Sequence, residues 1–264
     1  MSGTPLPRSP RIQRRLAELA SKPLNFDPDS LVGASPRSGW AVTDLCQSLP
    51  PEPPGMPVEQ GSWQIARRLM SGYEFADPSI VRAYYDPAVP LEQRNMLLKL
   101  QALGVAHVFA GVRVGEVYER TRELGGRHAR VWGWNYRTLD GHVETGQMDW
   151  EVWKWLDNGH VEFRVHAVSR PARIPNPIIR FGFHLLRGHE REAFLRSTKQ
   201  RMRTFTELAL ADGDRDRRDL DPYGAADRRS SILRPHTQPF APGHRALRQR
   251  RDHPVIGCDQ LMRR

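Results

Sequence analysis

The sequence predicts an α+β fold, an antiparallel sheet packed on a long C-terminal helix. Three observations predict it. Residues 130–169 alternate apolar and polar with a period of two, interrupted by the turn Asp157-Asn158-Gly159. Residues 190–210 carry Phe194, Leu195, Thr198, Met202, Phe205 and Ala209 as a stripe at helical spacing. Between the two patterns, Pro171, Pro175 and Pro177 end the sheet.

The elements follow in chain order. Ile12 to Ala20 reads as a short helix with Leu16 and Leu19 on one side, too short to hold alone. Pro50-Pro51 and Pro53-Pro54 read as a linker. A helix begins near Ser62 and runs through Ile65, Leu69 and Met70. Asp77-Pro78 reads as an N-cap and first helical position, opening a short helix that reaches Tyr84 and Tyr85. Pro90 starts another, with Leu91, Leu97, Leu98 and Leu100 as its apolar residues and Gly104 as its stop. Then the period changes. His107 to Arg122 holds Val108, Val112, Val114 and Val117, as one long strand or two broken near Gly111. After the Gly125-Gly126 turn, the strand Arg130–Thr138 puts Trp132, Trp134, Tyr136 and Thr138 on one face. Gln147 to Leu156 aligns Met148, Trp150 and Val152. Trp153 and Trp155 share the parity of Asp149 and Glu151, so either a bulge intervenes or their rings lie under a tail or a partner. In His160–Ser169, Val161, Phe163, Val165 and Ala167 oppose Glu162, Arg164 and His166.

Composition divides the 264 residues into three parts. Residues 1–60 hold half of the 22 prolines, and residues 211–264 are mostly Arg, Asp, Gly, Pro and His, so both ends are expected to be disordered tails. Residues 61–210 form the domain. The net charge of +10 comes with 40 basic residues, of which only Lys22, Lys99, Lys154 and Lys199 are lysines. That skew fits a GC-rich, bacterial genome, and no nucleic-acid module accompanies it. Cys46 and Cys258, one in each tail, make neither a disulfide framework nor a metal pair, so a reducing, cytoplasmic setting is the simplest expectation. No stretch approaches the apolar length of a transmembrane helix. No dinucleotide or phosphate loop and no metal-ligand spacing is present, so neither cofactor nor metal is expected.

The candidate site lies around Trp132, Trp134, Tyr136, Thr138, His142 and Trp150, with Arg170 at the end of the last strand. The turn from Thr138 to Gly146 contains Gly141 and His142. His142 reads either as a general acid/base oriented by Glu144 or Tyr136, or as a polar staple of the turn. Arg170 reads either as a clamp for an anionic ligand group or as the partner of a surface carboxylate. Arg164 stands opposite Glu151.

The run Trp132-Gly-Trp134-Asn-Tyr136-Arg-Thr138-Leu-Asp-Gly141-His142-Val-Glu-Thr-Gly146, followed by Ser169-Arg170-Pro171, resembles the DUF1990 family, whose pattern reads Y-x-T-L-x-G-H-x-x-x-G and then S-R-P. Met96 to Leu98 and Pro175 to Phe194 extend the resemblance. It implies a helix-grip fold of the START or Bet v 1-like class, in which a curved antiparallel sheet wraps a long C-terminal helix. It implies an apolar cavity but brings no catalytic residue.

Three functions stay open on these grounds. The first is binding of a small apolar ligand between sheet and helix, with Tyr136, Thr138, His142 and Arg170 as anchors. The second is an enzyme that uses the same cavity with His142 as acid/base. The third is a peripheral membrane or protein-interaction module acting through Ile178–Leu186. The oligomeric state is open as well.

Overall fold

The computed structural model describes residues 9–102, 106–172 and 177–218. Among them, seven strands form one sheet: β1 (Ala41–Leu49), β2 (Val81–Tyr84), β3 (Asn95–Ala102), β4 (Ala106–Leu124), β5 (Arg127–Thr138), β6 (Glu144–Trp155) and β7 (Val161–Pro171). Their order is β1-β7-β6-β5-β4-β3-β2 and every neighbouring pair is antiparallel. The chain therefore crosses from one edge of the sheet to the other between β1 and β2, then returns strand by strand. Helix α1 (Pro10–Glu18) lies on the outer face, α2 (Ser62–Ser71) fills the crossover, and α3 (Pro177–Arg218) follows the last strand. This is the helix-grip arrangement.

Alternation places the core. On the inner face Trp132 and Trp134 of β5, Trp150 and Val152 of β6, and Val161, Phe163 and Val165 of β7 pack with Leu69 and Met70 of α2 and with Phe194 and Met202 of α3. The long helix thus uses Phe194, Thr198 and Met202, all buried, as the stripe that meets the sheet. Its start at Pro177 precedes the predicted Glu190, because Pro at a first helical position needs no N–H partner.

Several expectations are corrected. Residues 9–49 are built into the fold rather than disordered. Ile12 and Leu19 pack with Leu97 and Leu139 on the outer face, and β1 pairs along its whole length with β7. Arg113 holds this segment by donating to the carbonyls of Leu19, Ala20 and Lys22 at 2.9, 3.2 and 3.1 Å. Most of β1 is half-buried or exposed, as suits an edge strand, so its composition gives little apolar signal. The Pro-rich stretch is no linker either. Glu52, between its proline pairs, is buried and accepts from the Trp63 N–H at the start of α2 at 2.7 Å and from Lys154 at 2.7 Å. At the other end, helix continues to Arg218, past the predicted boundary at 211. Residues 219–264 lie outside the described residues.

The helix expected after Pro90 is only the short 3-10 turn Leu91–Gln93, and the leucines belong to β3. Met96 and Leu98 enter the main core, whereas Leu97 faces the cluster under α1. A strand covered on both faces gives an unbroken apolar run that periodicity cannot tell from a helix. Asp77-Pro78 likewise opens a turn, where Asp77 accepts from the Ser79 N–H at 2.9 Å, and Val81–Tyr84 is a strand. Strand β4 runs unbroken past Gly111; its register shifts instead between Val114 and Val117. Trp153 and Trp155 do point outward without a bulge in β6, and they pack on Ala129 and Val131. Arg164 covers Trp153 at 4.2 Å and Arg127 covers Trp155 at 4.3 Å. Arg164 stands opposite Glu151 in the β6–β7 register, as expected, and makes its ion pair with Glu162 at 2.7 Å. Cys46, on β1, is disulfide-bonded rather than a free thiol.

Candidate functional site

The inner face of β5 and β6 builds an aromatic cluster. Alternation sends Trp134 and Tyr136 from β5, and Trp150 from β6, into the same space. Tyr73, just after α2, joins them from above. The centroids of Tyr73, Trp134, Tyr136 and Trp150 lie 6.0 to 6.4 Å apart in all six pairings. Phe75 packs on Trp150 at 4.5 Å, and Phe194 of α3 meets it edge-on at 6.3 Å.

Polar atoms are embedded in this apolar setting. Trp134 Nε1, Trp150 Nε1 and Thr198 Oγ1 are buried with no hydrogen-bond partner among the described residues. Thr198 sits between Phe194 and Met202 on the buried stripe of α3. The Tyr136 hydroxyl donates to Met148 Sδ at 3.3 Å, a weak acceptor. The Tyr73 hydroxyl is near enough to Tyr136 for each to perturb the other, yet it makes no well-formed hydrogen bond. Burial, the dominant cause, pushes both phenols well above the ordinary tyrosine range. Both therefore remain protonated donors at neutral pH. Tyr73 also has a backbone φ of 55°, in the left-handed region that a bulky residue rarely adopts. Strain of this sort persists where the surroundings hold a side chain in place.

A polar rim closes one end of the cluster. Arg191 of α3 donates to Ser169 Oγ and to Thr43 Oγ1, each at 2.8 Å, and stands 3.9 Å from Glu144. Its positive charge also bears on the Tyr136 phenol.

The expected site residues separate into groups. Trp132, Trp134, Tyr136 and Trp150 share the inner face. Trp132 stands apart from the other three, with Arg67 of α2 over its ring at 5.3 Å. Thr138 is occupied by its turn, donating to Asn25 Oδ1 at 2.6 Å and accepting from the Gly146 N–H at 2.9 Å. His142 Nδ1 accepts from the Glu144 N–H at 2.9 Å. Burial depresses the His142 pKa, so the ring is neutral near pH 7. Nδ1 also lies 3.0 Å from the Glu144 carbonyl, so the ring is tied to the backbone of its own turn in either tautomer. The anchor role given to Arg170 is corrected. Its parity on β7 turns it outward, where it is exposed and stacks over Trp40 at 4.3 Å. The arginine at the rim is Arg191, which lies outside both sequence motifs.

The motif turn has a structural explanation. Leu139 is fully buried beneath the N-terminal segment and pairs with Leu24, and Asn25 donates to the Glu144 carbonyl at 2.9 Å. Gly146 has φ of 149°, and a side chain there would overlap the Val168 carbonyl. The sequence around Thr138–Gly146 is thus a receptor for residues 19–25.

Sequence reasoning missed Tyr73, Thr198 and Arg191. Tyr73 carries no local signal, since its φ is visible only in three dimensions. Thr198 was readable as a hydroxyl within an apolar stripe. The segment Ile178–Leu186 is helical, but its side chains lie outside the described residues. Among the described residues, no helix is long and apolar enough to cross a membrane, and no group of three metal-ligating side chains occurs.

A family model described as "Domain of unknown function (DUF1990)" matches residues 29–196. A search of curated proteins finds no match. Among solved structures, the chain is similar to Ara h 8.0201 at 8% identity, over 62% of this chain and 98% of that one, with a TM-score of 0.36. It is similar to a hypothetical protein from Helicobacter pylori at 11% identity, over 63% of this chain and 87% of that one, with a TM-score of 0.33.

Proposed function

We propose that this chain, which belongs to the DUF1990 family, binds a small, largely apolar molecule that carries an acceptor oxygen, in the space between sheet and helix. One observation carries the reading: among the described residues, the indole N–H groups of Trp134 and Trp150 in the aromatic cluster and the Thr198 hydroxyl on the buried stripe of α3 have no hydrogen-bond partner. Each such group costs about 1–3 kcal/mol if left unbonded. A cluster of core rings has no packing need for two indole donors and a threonine. Two phenols fixed in their protonated form add donors, so the set favours an oxygen acceptor such as a carbonyl or ether.

The same geometry disfavours the reading of His142 as a general acid/base. Its Nδ1 is engaged by the turn, and Tyr136 and Tyr73 hold their protons too tightly to exchange them near neutrality. Binding without turnover is the better account.

The test is extraction of the natively purified protein with organic solvent and mass spectrometry of the extract, followed by titration with oleic acid and farnesol. A co-purifying apolar molecule, or saturable quenching of indole emission that Trp150→Phe weakens, is the expected result. An empty extract together with no saturable response to either probe would refute the reading.

A further inference from the structure

We propose a second binding site, on the outer face of the sheet, for a soluble phosphomonoester that carries a flat ring. It lies in the seam between α1 and strands β3 and β4. A groove of about 500 Å³ opens there, within the size range of small-molecule sites. Arg11, Arg15 and Lys22 line it with His107, against the single carboxylate of Glu18. The arginines, the lysine and Glu18 together carry a net charge of +2, which matches a phosphate dianion. Among the described residues, neither Arg11 nor Arg15 has a carboxylate within ion-pair distance, so both guanidinium groups keep their donors for a ligand.

Arg15 and Lys22 are held in place, while Arg11 stands exposed on α1. Arg15 lies over the Phe109 ring at 4.6 Å, and His107 meets the same ring edge-on at 5.5 Å. Lys22 Nζ donates to the Asp140 carbonyl at 3.1 Å, which fixes the ammonium at the motif turn. Arg113 locks the carbonyls of residues 19, 20 and 22 beneath it. Gly111 leaves room for Leu19 to close the floor, since a Cβ there would meet its side chain at 2.5 Å. Planar guanidinium groups bind phosphate through paired N–H donors, and they stack on flat rings. Arg11 and Lys22 would hold the phosphate, with the ligand ring against the Arg15–Phe109 pair. This site does not depend on the interior reading.

The experiment is calorimetric titration of the full chain at low ionic strength with AMP, inorganic phosphate and adenosine, alongside sedimentation with vesicles of phosphatidylcholine and phosphatidylglycerol. AMP should bind saturably, inorganic phosphate more weakly by about tenfold, and adenosine without measurable heat. Arg11→Ala/Arg15→Ala should weaken AMP by about tenfold or more, and Glu18→Gln should tighten it about threefold. Arg11 is exposed and Arg15 half-buried, so neither truncation opens the core. AMP binding that ignores these substitutions would overturn the proposal. So would vesicle binding without AMP binding, which would make the groove a lipid-headgroup contact instead.

Discussion

Replacing Lys154 by Met should destabilise the protein by about 3–5 kcal/mol, through the charge it leaves behind. Lys154 lies on the inner face of β6 and is fully buried, and its Nζ meets Glu52 Oε2 at 2.7 Å and the Met56 carbonyl at 2.8 Å. Glu52 in turn accepts from the N–H groups of Trp63 at 2.7 Å and Val58 at 3.1 Å. One carboxylate thus ties the loop after β1, the first turn of α2 and the end of β6. Methionine fills nearly the same volume, so packing changes little and the cost is the unpaired carboxylate. For a domain of this size the loss corresponds to a fall in Tm of about 10 °C. Glu52→Gln should cost a comparable amount, because it strands the ammonium. In the double variant neither charge is stranded, and the combined loss should fall short of the sum by about 2 kcal/mol or more. Urea unfolding followed by indole emission measures all four chains. A Lys154→Met loss below about 1 kcal/mol, or losses additive within about 0.5 kcal/mol, would refute the argument.

Two further outcomes follow from protonation. Burial, opposed by Arg68, pushes the Glu74 carboxyl up from 4.5 to about 7. The folded state then holds a proton that the unfolded chain releases, so stability should fall as pH rises from about 4.5 to about 7, by about 1–2 kcal/mol after solvent screening. Glu74→Gln should flatten that slope in denaturation curves taken across this range; an unchanged slope would remove Glu74 as its source. For His142 the sign is reversed, because its folded-state pKa is depressed. Its contribution is present above the ordinary value of 6.5 and is lost as pH falls below it. His142→Gln keeps an acceptor for the Glu144 N–H and should cost about 1 kcal/mol near neutrality, remove that acid-side loss and leave probe binding unchanged. Full stability with binding abolished would make His142 a ligand group instead.

The parts of the fold legible in the sequence are those with one wet face. In β5 to β7 the inner positions Trp132, Trp134, Tyr136, Trp150, Val152, Val161, Phe163 and Val165 recur at every second residue, and the stripe of α3 repeats at helical spacing, so parity alone named Trp134, Tyr136 and Trp150. Legibility fails where neighbours distant in sequence decide the outcome. Leu97 is apolar because Ile12 and Leu19 cover it, which erased the alternation of β3. The composition of residues 41–49 is that of an edge strand, and the proline count hid that Pro10, Pro28 and Pro36 each start a short helical turn. At the candidate site, Thr138 and His142 are spent on the turn, whereas Arg191 and Tyr73 reach the cluster from elements that no local pattern connects to it.

The pairing of β1 with β7 bears on where this protein can be cut. A shortened chain beginning at residue 61, where the proline density ends, would lose nine strand residues and all of the segment clasped by Arg113. Strand β7, paired on both sides from Val161 to Ser169 in the whole chain, would then present those nine residues as open backbone. Unprotected edges of that length recruit other chains. The apolar floor formed by Leu97 and Leu139 would be bared at the same time. Insolubility of such a fragment would therefore reflect the missing edge strand and its cover rather than a failure of the aromatic core.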